Sequence, residues 1–251
     1  MQPTPPEAKD ASGADAPISD QQTFWNSWNT IFVGAQRGPT SLRQAEVVED
    51  WLGALEQCPL SIVDVGCGTG WMCRKLLRFG AVTGIDLSDE VLAGAQVQNS
   101  DVRFVAGDFM EMDLTAIRAD VVVTLEVLAH VADQGAFLRR IVQILKPGGY
   151  LMLATQNRFV LERSAGVAKR AHGQIRQWVD RHRLRALIQE QFELEQLISI
   201  CPYGHGGVLR IVNSPKLNYL ISRIIPQDRL DRLKERFWLG HTLMALARRR
   251  D

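Results

Sequence analysis

Apolar residues recur along this chain with two alternating periods, and that alternation predicts its architecture. Short apolar runs stand at residues 62–65, 81–85, 102–105, 120–125 and 150–155. Runs of this length, without a polar residue at every second place, read as strands covered on both faces of a parallel sheet. Between them the period lengthens. Cys73, Leu76 and Leu77 share a helical face, and residues 89–98 follow Ser88, an expected N-cap. A helix over 133–145 stops at the turn Lys146-Pro147-Gly148-Gly149. Four alternations of strand and helix predict an α/β fold, a mostly parallel sheet with helices on both faces. Further on, a helix opens at Val179-Asp180 and runs to Gln191, and strands are expected at 192–200 and 241–247.

The flanking segments carry different patterns. Residues 1–20 hold four prolines and few apolar anchors, so a disordered tail is expected. Residues 23–33 carry Phe24, Trp25, Trp28, Ile31 and Phe32 at helical spacing, and residues 40–55 carry Leu42, Val47, Trp51 and Leu55. These two helices either cap the sheet or, for the aromatic one, form a lid over the ligands. Residues 204–239 separate the last two strands by more than a hairpin needs, and their apolar spacing is helical. A roof over a substrate site is preferred for this insertion over a subunit contact or a membrane surface. The expected layout is thus a tail (1–20), a helical cap (21–57), a core (58–203 and 240–251) and the insertion (204–239).

The chemistry gathers where the first strand meets the first helix of the core. Gly66, Gly68 and Gly70 stand at alternate positions, Asp64 lies two residues before them, and Asp86 closes the second strand. Glycines let backbone approach a ligand, and the helix N-terminus behind them offers free N–H groups. An acid at the end of the second strand can accept hydrogen bonds from ribose hydroxyls. This is nucleoside chemistry, but the spacing is G-x-G-x-G rather than the dinucleotide G-x-G-x-x-G.

The run Asp64-Val65-Gly66-Cys67-Gly68-Thr69-Gly70 resembles motif I, (D/E)-x-G-x-G-x-G, of the class I S-adenosylmethionine-dependent methyltransferases. The turn Leu145–Gly149 is a further habit of that family, and the resemblance covers residues 62–155 well. It implies S-adenosylmethionine as cofactor, held by Asp64, Gly66, Cys67, Gly68 and Gly70. It places Asp86 and Leu87 at the ribose, Asp108 and Phe109 at the adenine, and Leu125 at the end of the fourth strand. It also implies a Rossmann-like, seven-stranded sheet whose last strand inserts antiparallel between its two predecessors.

The run Leu125-Glu126-Val127-Leu128-Ala129-His130-Val131 is similar to the L-E-V-L-E-H-V of the ubiquinone-biosynthesis O-methyltransferases. In that group two acids and the histidine can hold a divalent metal that orients a catechol. Here Ala129 replaces the second acid, and one carboxylate with one imidazole makes a poor cage for a hard cation. No metal and metal-independent activity are expected. His130 and Glu126 are the catalytic candidates. A histidine titrates near neutrality and can take a hydroxyl proton as the methyl moves. Glu126, four residues earlier, would orient the imidazole or face the sulfonium. A structural histidine bonded to the core is the equal competitor, with His172 and His182 in reserve as bases.

Bulk properties narrow this little. The 251 residues are 46% hydrophobic and 23% charged, with net charge +1, an ordinary globular balance. No 18-residue apolar run predicts a membrane span, and the four cysteines form no C-x-x-C pair and no zinc spacing. Reduced thiols and a cytoplasmic location are expected. Residues 159–185 are basic, which fits an anionic substrate, a peripheral membrane contact or RNA; a solvated face with arginine stems lying on apolar surface is preferred. The absence of an N-P-P-Y-type run after the fourth strand weighs against nucleic-acid bases. The expected function is methyl transfer to a small molecule, with a hydroxyl oxygen first. An amine or carboxyl acceptor, RNA, and cofactor binding without transfer are the alternatives. The sequence does not set the oligomeric state.

Overall fold

The computed structural model describes residues 16–31, 37–55, 59–164, 167–202, 214, 219 and 226–250. Two helices lead the chain, α1 (Ile18–Thr30) and α2 (Pro39–Gly53). The core follows as β1 (Leu60–Val65), α3 (Trp71–Leu76), β2 (Gly80–Asp86), α4 (Asp89–Gln98), β3 (Arg103–Ala106) and β4 (Ala119–Leu125). A 3₁₀ turn (Leu128–His130) leads to α5 (Gln134–Ile144), β5 (Leu145–Gln156) and the short α6 (Arg158–Leu161). Then come α7 (Arg181–Gln189), β6 (Phe192–Pro202), α8 (Gln227–Arg236) and β7 (Gly240–Arg249).

The seven strands lie in the order β3-β2-β1-β4-β5-β7-β6. The first five are parallel, and β7 runs antiparallel between β5 and β6, as the resemblance implied. Side chains alternate across the sheet into two cores. Val63, Val65, Val122, Leu151, Leu153 and Ala245 meet α5 and α7 on one face. Ile62, Val121, Val123, Met152, Ala154 and Met244 meet α2, α3 and α4 on the other. That is why the central strand segments read as largely apolar runs: both alternating sets of side chains are covered.

Local chemistry fixes the ends. Asp133 caps α5 by accepting from the Ala136 N–H, and Asp180 caps α7 by accepting from His182 and Arg183. Ser88 precedes α4 as expected but makes no side-chain cap; its hydroxyl instead accepts from the Asn29 amide of α1 at 2.9 Å. The Lys146-Pro147-Gly148-Gly149 turn is absorbed into β5, which starts at Leu145, with a register shift against β4. Helix α1 begins at Ile18, inside the stretch expected to be tail; residues 1–15 of that tail lie outside the described residues. Of the insertion expected over 204–239, most lies outside them too, and α8 is the helix described within it.

Candidate active site

The parallel register brings Val65 beside Ile85, so Gly66 and Asp86 emerge together at the carboxyl edge of the sheet. The backbone then turns sharply, with φ of +78°, +53° and +69° at Gly66, Gly68 and Gly70. Gly66 cannot be replaced cheaply, because a Cβ there would lie 2.1 Å from Cγ2 of Val127. Asp86 holds the turn from below: its Oδ2 accepts from the Gly68 N–H at 2.7 Å and its Oδ1 from the Ser88 N–H at 2.8 Å. Burial pushes its carboxyl up, and these backbone donors pull it back.

Above this edge lies a cavity of about 630 Å³. Of the sequence-predicted site residues, Gly66, Cys67, Gly68, Asp86, Leu87, Asp108, Phe109, Leu125, Glu126 and His130 all line it. Asp64 and Gly70 do not. Asp64 is buried behind the turn, where Oδ2 accepts from the Cys73 thiol at 3.2 Å, and burial raises it to about 7. Gly70 serves instead as the N-cap of α3. Asp108 uses one oxygen on the Met110 N–H at 2.9 Å. The loop that carries it is pinned by Arg140 of α5, which donates to the carbonyl oxygens of Phe109 and Met112 and lies over the Phe109 ring.

Glu126 follows β4 directly and has φ of +64°, rare for a residue with a side chain. Its Oε1 accepts from the Gln44 amide of α2 and from the Thr242 hydroxyl of β7, the latter at 3.1 Å. Its Oε2 is buried with no partner among the described residues. Burial raises the carboxyl to about 7, against these two donors. No hydrogen bond links Glu126 to His130. The imidazole is oriented by backbone instead: Nδ1 lies 2.7 Å from the carbonyl oxygen of Ile175. A carbonyl only accepts, so Nδ1 carries the proton and Nε2 is left as a bare lone pair. Burial, the main cause, and the nearby Arg176 hold the ring below its usual range, whereas the Ile175 bond pulls the other way. The Trp25 ring packs edge-on against it, with centroids 4.8 Å apart.

The aromatic helix offered as a cap or a lid, and Arg37, which the sequence did not signal, complete the wall. Helix α1 lies over the loop after β2: Gln22 donates to the Leu87 carbonyl, Asn26 to Asp89 and Asn29 to Ser88. Arg37, just before α2, lines the cavity, donates to the Thr69 hydroxyl and lies over the Trp71 ring at 5.4 Å. Among the described residues it forms no ion pair. In the basic segment, Arg163, Arg176 and Arg181 lie over the rings of Phe159, Trp178 and Trp238. Arg158 pairs with Asp180. Among the described residues no group of three or more histidines, cysteines or acids could hold a metal ion, and no helix is long and apolar enough to cross a membrane.

Residues 63–153 match the family model described as a methyltransferase domain. Over 104 residues the protein is 38% identical to the ubiquinone biosynthesis O-methyltransferase of Bradyrhizobium diazoefficiens, a match over 39% of this chain and 41% of that enzyme. It thus spans less than half the length of this curated relative. The solved S-adenosylmethionine-dependent methyltransferase of Mesorhizobium loti superposes with a TM-score of 0.57 at 24% identity, over 82% of this chain and 98% of that one. The N-methyltransferase NodS of Bradyrhizobium japonicum WM9, in complex with S-adenosyl-L-homocysteine, gives 0.56 at 16% identity, over 84% and 87%. These structures share the fold.

Proposed function

We propose that this protein uses its class I S-adenosylmethionine-dependent methyltransferase domain, residues 63–153, to methylate a hydroxyl oxygen of a small molecule. The cavity's residues fit the cofactor. Asp86 stands where the ribose hydroxyls would bind, and Asp108 keeps one oxygen for the adenine amino group, with Phe109 beside the ring. The cofactor supplies an electrophilic methyl; the protein aligns the acceptor, excludes water and takes the proton.

One observation carries the choice of a protonated acceptor: a cavity-lining histidine kept neutral, with its Nδ1–H spent on Ile175 and its Nε2 bare. Such a ring accepts a hydroxyl proton as the methyl moves. The name of the curated relative supports an oxygen acceptor. Three arginines of the basic segment lie over aromatic rings, which supports a small molecule over RNA.

The test is methyl transfer from labelled S-adenosylmethionine to phenols, amines and carboxylic acids of matched size. Phenols should be methylated, and His130→Ala should lower kcat by roughly 10²–10⁴-fold with affinity for S-adenosylhomocysteine unchanged. Full turnover by His130→Ala, or transfer to amines alone, would overturn this reading.

A further inference from the structure

The tautomer of His130 is set by a stretch of irregular chain that packs on it from outside. Residues 172–178 belong to no helix or strand, yet Ile175 is 3% exposed and its carbonyl oxygen lies 2.7 Å from Nδ1 of the imidazole. No ladder of backbone bonds fixes that carbonyl. Its place depends on the ties that bind this strap to the turn Leu128–His130 and its surroundings. The Gln177 N–H donates to the Ala129 carbonyl at 2.7 Å, and the Gln177 side chain to that of Ala132 at 3.1 Å. His172 pairs with Asp20 of α1 at 3.1 Å, an exposed contact that contributes little. A further tie comes from α5. Gln134, 8% exposed, turns one amide nitrogen toward two main-chain carbonyls, Leu128 at 3.1 Å and Gln177 at 2.9 Å, with one N–H for each. One acceptor lies on the turn that carries His130. The other lies on the strap, two residues beyond Ile175.

We propose that Gln134 is a positioning residue for His130: by fastening the strap to the turn, it keeps the Ile175 carbonyl on Nδ1 and so leaves the lone pair on Nε2. The inference rests on the reading of His130 as the base. The residue type fits the task. A primary amide is neutral and carries two N–H groups on one nitrogen, so it bridges two carbonyls without bringing a charge into the core. A carboxylate has no hydrogen to give. An aliphatic side chain of equal length would leave both carbonyls without this donor. The placement fits as well. Gln134 is the first residue of α5, directly after the Asp133 cap, so the helix holds its backbone and the strap does not. It does not line the cavity, and it acts on the ring through the Ile175 carbonyl. Without Gln134 the middle of the strap keeps only the two Gln177 bonds, and the ring is released toward the Nε2–H form that a free histidine side chain favours. In that form a proton already sits on the atom that must receive one.

The tautomer can be read without turnover, from the imidazole nitrogen chemical shifts of the full-length protein at about pH 8, where the ring is neutral. Loss of its signals in His130→Gln assigns the ring. In the wild type the proton should sit on Nδ1. In Gln134→Met, which keeps the length and removes the donors, it should move largely to Nε2. Methylation of phenols should then lose roughly 10- to 100-fold in kcat, with KM for S-adenosylmethionine and affinity for S-adenosylhomocysteine unchanged. Gln134→Asn keeps an amide but is a methylene too short to reach both carbonyls, and it takes the place of Gln134→Met should that variant not fold. A wild-type ring protonated at Nε2 would overturn the proposal, and so would an unmoved proton in the folded variant. In that second case a loss of turnover in His130→Ala keeps the histidine as base and removes the role of Gln134 alone. If the proton moves and phenol turnover is untouched, His130 is not the base, and both readings fall.

Discussion

Glu126 and His130 stand four residues apart, and burial moves their titrations in opposite directions. Burial lifts Glu126 to about 7. Its partners Gln44 and Thr242 do not titrate, and the nearby Cys201 thiol is itself pushed up, chiefly by burial, so it stays protonated. An acid with a raised value is neutral below it, so Glu126 carries no charge at the cavity wall once the pH is below 7. His130 is shifted down from 6.5, so its base form persists below that value. With His130 as the proposed base, kcat should hold to below pH 6.5 before it falls. A kcat that drops already at pH 7 would make Glu126 rather than His130 the titrating group. Asp64 gives a stability counterpart. Its carboxyl moves from 3.8 unfolded to about 7 folded, so the ionised unfolded state is favoured as pH rises between those values. Asp64→Asn keeps an acceptor for Cys73 and removes that cost. It should raise Tm at pH 8 and gain progressively less toward pH 5; an equal gain at both would show that ionisation is not the cause.

Among the elements, those announced by short-range signals were legible and those fixed by distant contacts were not. The glycine turn and Asp86 could be read because strand ends and turns write themselves into a few adjacent residues, whereas Asp108 came from the family resemblance. Arg37 could not, because a lone arginine before Gly-Pro has no periodic signal, and only the fold sets it against Thr69. Gln44 and Thr242 lie far apart in the sequence and meet on one carboxylate. Ser88 reads as a cap until α1 arrives and takes its hydroxyl. Of the two roles left open for that aromatic helix, the contacts favour a lid. Helix α1 buries no residue fully and is fastened largely by side-chain amides. A 13-residue helix has little stability of its own, so those bonds decide how often it is closed. Replacing both Asn26 and Asn29 by alanine should weaken S-adenosylhomocysteine binding roughly 5- to 30-fold, at about 1 kcal/mol for each bond, with Tm nearly unchanged. Unaltered affinity would return α1 to the role of a passive cap.

For the molecule as a whole, the mostly parallel sheet was accessible in advance because strands and helices alternate, and the place of the last strand was implied by the family resemblance. The late strand β7 was less so from pattern alone, since residues 243–247 are a run of small and apolar side chains that suits either direction of pairing. Its position has a consequence for stability. It is hydrogen-bonded along both edges, to β5 through Tyr150–Gln156 and to β6 through Phe192–Pro202, and its side chains feed both cores. The strand that follows α8 is therefore central to the sheet rather than peripheral. Native-state hydrogen exchange should show this directly. Amides of β4, β5 and β7 should exchange only by global unfolding, with free energies that match the denaturant value. Those of α1 should open at far lower cost and gain protection when S-adenosylhomocysteine is added, the outcome expected of a lid and not of a passive cap. If β7 exchanged as fast as α1, the strand would be an edge that frays, and the Glu126 carboxylate it meets through Thr242 would not be held in place.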